Sequence, residues 1–393
     1  MMTMKIIFIF SMILILFQHD EFLKAQEVQP QWMIFKSGMA LPDGTAIDSQ
    51  GRVLVHSETL RTTEVIQCDA HGAFLAQVTF GDGVFDKTRF IGSRFSYDPI
   101  LNLIFMLTPE GELFQIHPDG LQVSQDVLSI PLEAINTNRV YDMNTGQIVS
   151  IGFSLDTLIR YGDLALFRPK TLPEQLKWIV TGTVERLSEP PLPFVMEMTI
   201  DLLSGTITAH MVLTSSAASF AMDGQTRGVA VNTHGIGLTT LPITDPSNPG
   251  ETREVAVAFS VYTAPGIPAQ LLQPAVLHNA LDITSDGMAS DEAGHFYAAS
   301  GDQGSSACEP NRSGALIVMP VDANGLPLGL ATLADAVPAE PAPLGIVDPL
   351  GCVPIAMTTD DIVSTREVAV SPIDQSVIIT VNNQDAVLIL FQP

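Results

Sequence analysis

A chain of 393 residues with 16% charged and 46% hydrophobic residues, 29 Gly and 27 Pro is not one of long helices. That balance suits many short strands joined by turns, in two or three ordinary domains or one large repeat fold. A formal net charge of −25 repels a polyphosphate backbone, which argues against nucleic acid as a partner and fits solubility in an exposed compartment.

The N-terminus reads as a processing signal. Lys5 precedes the apolar run Ile6–Phe17, which has the length of a signal-peptide core and is too short to span a bilayer. Ala25 before Gln26 places a cleavage point. Residues 1–25 are therefore expected to be a signal peptide and 26–393 a single exported domain, secreted or periplasmic. No membrane span is expected after cleavage, and a monomer is expected; an uncleaved N-terminal anchor is the alternative.

Strands follow in order. Gln31–Ser37 stands alone, with no hairpin partner nearby. Gly44–Ile47, Arg52–His56, Thr63–Cys68 and Phe74–Phe80 form a first unit, with turns Asp48-Ser-Gln-Gly51 and Asp69-Ala-His-Gly72. A second unit holds Phe95–Tyr97, Leu103–Leu107, Glu112–His117 and Val123–Leu128. A third begins with Val140–Met143, and residues 170–225 are read as its outer strands plus an insertion. A fourth runs from Arg227 to Tyr262. A fifth holds Gly287–Ser290, His295–Ala299, Gly314–Pro320 and Gly325–Leu333, and a surface loop is expected over 334–354. A sixth, Glu367–Ser371, Val377–Val381 and Ala386–Phe391, is one strand short. Pairing the spare Trp32–Lys36 with Ala386–Phe391 completes it and removes two open sheet edges.

The units share an inner hairpin. Asp286-Gly-Met-Ala-Ser-Asp-Glu-Ala-Gly-His-Phe-Tyr-Ala-Ala299 and Asp43-Gly-Thr-Ala-Ile-Asp-Ser-Gln-Gly-Arg-Val-Leu-Val55 are the clearest copies, and weaker ones begin at Arg227, Arg366 and Ser93. The small residue of the repeat falls at Ala46, Ser96, near 142, Ala230, Ala289 and Ala369. The expected fold is all-β: a six-bladed β-propeller closed by the N-terminal strand joining the last blade. A seventh blade within 170–225 is the open alternative.

These hairpins resemble NHL-repeat propellers, and the stretch from Asp286 is similar to a blade of the regucalcin/gluconolactonase family. The resemblance implies a divalent cation such as Ca²⁺ at Asp286, and with it a metal-dependent lactonase. Exported NHL-type propellers also resemble proteins that accompany pigment pathways such as that of scytonemin.

Three residues before each small residue stand Asp43, Ser93, Arg227, Asp286 and Arg366. Around one axis, Asp43, Arg227, Asp286 and Arg366 would share a channel mouth. Two guanidiniums there oppose a cation and favour an acid or carbonyl ligand. The plainer readings are carboxylates capping their own turns and Asp–Arg pairs tying blades together. Cys308 and Cys352, both in loop sequence, are paired as a disulfide, leaving Cys68 buried and free. None of the eight histidines forms an HxxxH or HxH pair, and G-x-S-x-G, P-loop and dinucleotide fingerprints are missing. The leading expectation is a propeller binding a small molecule or protein partner at the channel mouth. A lactonase-like hydrolase and a protein-interaction scaffold are the alternatives.

Overall fold

The computed structural model describes residues 32–37, 39–40, 42–58, 63–80, 89–168, 176–187, 189–201, 204, 206–217, 228–244, 250, 252–261, 269–277, 287–299, 315–328, 330–331, 351–354, 365–381 and 386–390. Among them the strands form six sheets, and no helix is long and apolar enough to cross a membrane.

Strand β1 (Trp32–Ser37) leads into a four-stranded meander of β2 (Pro42–Ile47), β3 (Val53–Glu58), β4 (Thr63–Cys68) and β5 (Phe74–Phe80). The second sheet holds β6 (Arg94–Asp98), β7 (Leu103–Leu107) and β8 (Glu112–His117), whose outer edge pairs with both β9 (Gln122–Val123) and β10 (Leu128–Ser129). Next come β11 (Ile135–Asn136), β12 (Val140–Asp142) and β13 (Gln147–Val149). They extend the outer edge of a third meander made of β14 (Leu158–Phe167), β15 (Lys177–Arg186), β16 (Glu189–Asp201) and β17 (Thr206–Thr214).

The fourth sheet is β18 (Val229–Val231), β19 (Ile236–Thr244), β20 (Thr252–Ser260) and β21 (Gln270–Leu277). The fifth begins with β22 (Met288–Ser290), β23 (Phe296–Ala299) and β24 (Ala315–Met319). Here the chain crosses over: β25 (Leu330–Ala331) pairs β21 of the fourth sheet, and β26 (Gly351–Pro354) is the outer strand of the fifth. The last sheet, β27 (Thr365–Val370), β28 (Val377–Val381) and β29 (Ala386–Leu390), is completed by β1, antiparallel to β29 from Trp32↔Leu390 to Ser37↔Ala386.

The innermost strands touch in a cycle: β2 with β6, β6 with β14, β14 with β18, β18 with β22, β22 with β27, and β27 with β2. The sheets therefore surround a common axis and the fold is a β-propeller. The third unit differs from its sequence reading. Its innermost strand is β14, whereas Val140–Asp142 lies at the outer edge, so the repeat's small residue there is Ala165.

Local chemistry explains the repeated hairpin. Asp48 Oδ1 accepts the N–H groups of Gln50 and Arg52, Asp69 Oδ1 those of His71 and Ala73, and Asn232 Oδ1 those of His234 and Ile236. In each turn the fourth residue is Gly at positive φ (Gly51, Gly72, Gly235), a conformation that a Cβ disfavours. Between sheets the core is apolar. Phe105 and the fully buried Trp178 meet edge-on at 4.4 Å between the second and third.

Candidate functional site

Each inner strand enters its sheet beside the axis, and what it carries there decides the channel's chemistry. Two residues before the small residue of each copy stand Gly44, Arg94, Asp163, Gly228, Gly287 and Glu367. Register breaks at this place in three strands: between Pro42 and Thr45, Tyr161 and Leu164, and Thr365 and Val368. A bulge re-aims the side chains it contains. Asp163 and Glu367 both line a cavity of about 280 Å³ on the axis, walled by all six inner strands.

The glycines let inner strands approach one another. A Cβ on Gly228 would lie 2.7 Å from Gly287 C, and one on Gly287 would lie 2.7 Å from both Arg366 O and Glu367 Cα. These are backbone atoms that cannot step aside. Gly287→Ala is expected to lower unfolding free energy by about 3 kcal/mol. A denaturant titration showing less than about 1 kcal/mol would mean the strands can separate cheaply.

The charged residues form one buried cluster. Arg94 Nη1 donates to Asp43 Oδ1, and Arg94 Nε lies 3.2 Å from Glu367 Oε2. Asp163 ties the third and fourth sheets: its Oδ2 accepts Val229 N–H at 2.7 Å and its Oδ1 accepts Leu164 N–H at 2.7 Å. Thr181 Oγ1 accepts the Asp163 N–H, and Thr380 Oγ1 accepts the Glu367 N–H while donating to Asp43 O. One guanidinium thus faces three carboxyls.

Burial pushes the Asp163 carboxyl up to about 6, against the opposing pull of Arg94 and two backbone N–H groups. Burial, reinforced by the Asp163 charge, lifts Glu367 well above the ordinary carboxylate range. Burial alone would lower the Arg94 guanidinium, and Asp43, Glu367 and Asp163 more than reverse this.

Both acids bind protons more tightly folded than unfolded, so each contributes most at low pH; the Asp163 contribution is lost as pH rises through about 6, and that of Glu367 as pH rises above the ordinary carboxylate range. For Asp163 the loss is on the order of 3 kcal/mol. Asp163→Asn is expected to flatten the pH dependence of unfolding free energy between pH 4 and 7. An unchanged profile by urea titration would contradict the shift.

At the C-terminal ends of the inner strands the channel opens into a second cavity of about 400 Å³, sharing Tyr97, Leu166, Val231, Ser290 and Val370 with the first. Asp98, Asp291, Glu292 and Arg168 line it, and Arg168 Nε donates to Asp98 Oδ1 at 3.1 Å.

Of the residues singled out from sequence, Asp43 is at the cluster, paired with Arg94. Arg366 is half-buried and precedes Glu367, whose side chain lines the channel. Arg227, Asp286 and Cys308 lie outside the described residues, as does the side chain of Cys352, so the ring of four and the 308–352 disulfide lie outside them too. Cys68 is buried and free, its thiol pushed up by burial. Sequence reading missed Arg94, Asp163 and Glu367. Their signal is a charge two residues before the small residue of an otherwise apolar strand, as in Gly-Asp-Leu-Ala165 and Glu-Val-Ala369.

A second group shares Asp43 with the cluster: Asp43, His56 and Glu58 bring one ligand atom each within 4.8 Å of the others. His56 is fully buried, and Glu58 Oε1 accepts the Gly92 N–H at 3.0 Å. One imidazole and two carboxylates are donors for a borderline divalent ion. They do not suit Ca²⁺, which takes six to eight oxygens.

No family model matches the chain, and no curated protein gives a significant match. Among solved structures it is similar to a carbohydrate-active enzyme of family AA12 from Trichoderma reesei, at 12% identity and a TM-score of 0.49, over 94% of this chain and 97% of that one. It is similar to the PQQ domain of a pyranose dehydrogenase from Coprinopsis cinerea at 11% and 0.48, over 94% and 96%. It is also similar to a gluconolactonase-like protein at 12% and 0.47, over 94% and 95%. At these identities and scores the likenesses assign no chemistry to the channel.

Proposed function

We propose that this chain, exported by the signal at residues 1–25, binds a small molecule in the propeller's channel, entering at the C-terminal ends of the inner strands. The observation that carries this is the continuity of the two cavities, from a charged floor to an open mouth. Together their volumes reach those of small-molecule sites, and the outer cavity is mostly apolar while the inner one is as polar as it is apolar. Val370 is half-buried and lines both cavities, so Val370→Trp is expected to fill the passage. Fragments that bind the wild type by ligand-observed NMR should be lost in this variant. Retention of all of them would place binding elsewhere.

Metal-assisted hydrolysis is the second reading, favoured by the Asp43–His56–Glu58 group. Those three residues would hold a Zn²⁺ or Mn²⁺ ion, which supplies an activated water and polarises a carbonyl. The ion pair of Arg94 with Asp43 weighs against it, because a cation there competes with a buried guanidinium. Under this reading Zn²⁺ or Mn²⁺ raises the melting temperature and His56→Ala abolishes the rise. No rise with either ion removes the reading. The scaffold alternative drew on loop 334–354, of which 334–350 lie outside the described residues.

A further inference from the structure

We propose that the channel takes an organic cation, an ammonium group on a slim apolar body, with its charged head on the Asp163–Glu367 floor. This rests on the channel-binding reading and adds to it the sign of the ligand's charge.

The charge inventory of the walls carries the argument. Asp163 from β14 and Glu367 from β27 line the floor, Arg94 of β6 is ion-paired to Glu367 and to Asp43 of β2 without lining the cavity, and β18 and β22 bring Gly228 and Gly287, which carry no charge. Toward the mouth, Asp98, Asp291 and Glu292 line the wall beside Arg168, which is itself bonded to Asp98. Acidic groups outnumber basic ones along the described length of the channel, so an anion is repelled and a cation drawn in. This sign is the opposite of the acid-binding expectation built on Arg227 and Arg366, of which Arg227 lies outside the described residues.

A second observation concerns one atom. Glu367 is 3% exposed and lines the floor, and its Oε2 is ion-paired with Arg94 Nε at 3.2 Å but accepts no well-aligned hydrogen bond among the described residues. A buried acceptor in that state gains from an N–H supplied by a ligand. The walls agree. Phe95 and Tyr97 line the inner cavity and Phe167 the outer one, and aromatic rings attract ammonium groups. Ala46, Ala165, Ala230 and Ala289 keep the passage open to a narrow chain. A cation at the floor also favours the ionised acids, so binding near neutral pH expels protons, and affinity falls as pH drops.

The test is calorimetry on the whole protein at pH 7.5 with hexylammonium, hexanol and hexanoate, probes alike in shape and different in charge. Hexylammonium is expected to bind about tenfold more tightly than hexanol, and hexanoate more weakly than either. Its heat should change with the buffer's ionisation enthalpy in the sense of proton release, a wild-type readout that needs no variant to fold. Glu367→Gln should erase most of the advantage of hexylammonium while leaving hexanol unchanged.

Equal binding of hexanol, tighter binding of hexanoate, or binding of none overturns the inference. The channel reading then stands or falls separately on Val370→Trp. If hexylammonium binds and that variant leaves it untouched, the channel reading itself has failed.

Discussion

Arg94→Met is expected to lower the free energy of unfolding by about 4 kcal/mol at pH 7.5, because it leaves buried carboxyls without their counter-charge. Arg94 is 3% exposed and stands against Asp43 and Glu367, with Asp163 close enough to be felt. Methionine fills much of the same volume, so the loss measures charge rather than a hole. Lowering the pH to 5 should return part of it, since Asp163 and Glu367 then take up protons and the repulsion falls. Urea titrations at the two pH values decide the matter. A loss below about 1 kcal/mol at pH 7.5 would show the carboxyls already neutral or hydrated.

Deleting residues 26–37 is expected to have a comparable or larger effect. β1 supplies the outer strand of the last sheet, and Phe35 packs with Met39, Ile47, Val53 and Cys68. Removing it abolishes the hydrogen bonds of five register pairs with β29, on the order of 5 kcal/mol, and opens a sheet edge. The truncated chain should melt about 6 °C lower or more and form oligomers in light scattering. A synthetic peptide of residues 26–37 added in trans should restore the monomer by strand addition. A truncated chain that stays monomeric with an unchanged melting temperature would show that the ring holds without its closing strand.

The features read correctly from sequence are those whose physics is local. An Asp or Asn that caps its turn and a Gly at positive φ three residues later act within one hairpin, so Asp48–Gly51 and Asp69–Gly72 were visible as turns. The closing strand was visible because strand counts left one spare at each end. The floor was not. The charged residue of the cluster stands two before the small residue in β6, β14 and β27 but three before it in β2, so no single offset in the repeat points to Arg94, Asp163 and Glu367. In the third unit, the outer strands Val140–Asp142 and Gln147–Val149 mimic an inner hairpin, which displaced attention from Ala165 and hence from Asp163. Both features depend on how distant strands stack, which nearest-neighbour propensity does not encode.

The pairing of Trp32–Ser37 with Ala386–Leu390 has a consequence for how the protein is made. A ribosome adding roughly 5–20 residues per second delivers the second strand about 20–70 s after the first. Throughout that interval Trp-Met-Ile-Phe waits with bare edges, exposed to every other nascent chain nearby. Whatever escorts the newborn polypeptide must therefore shield its first strand until its last has emerged.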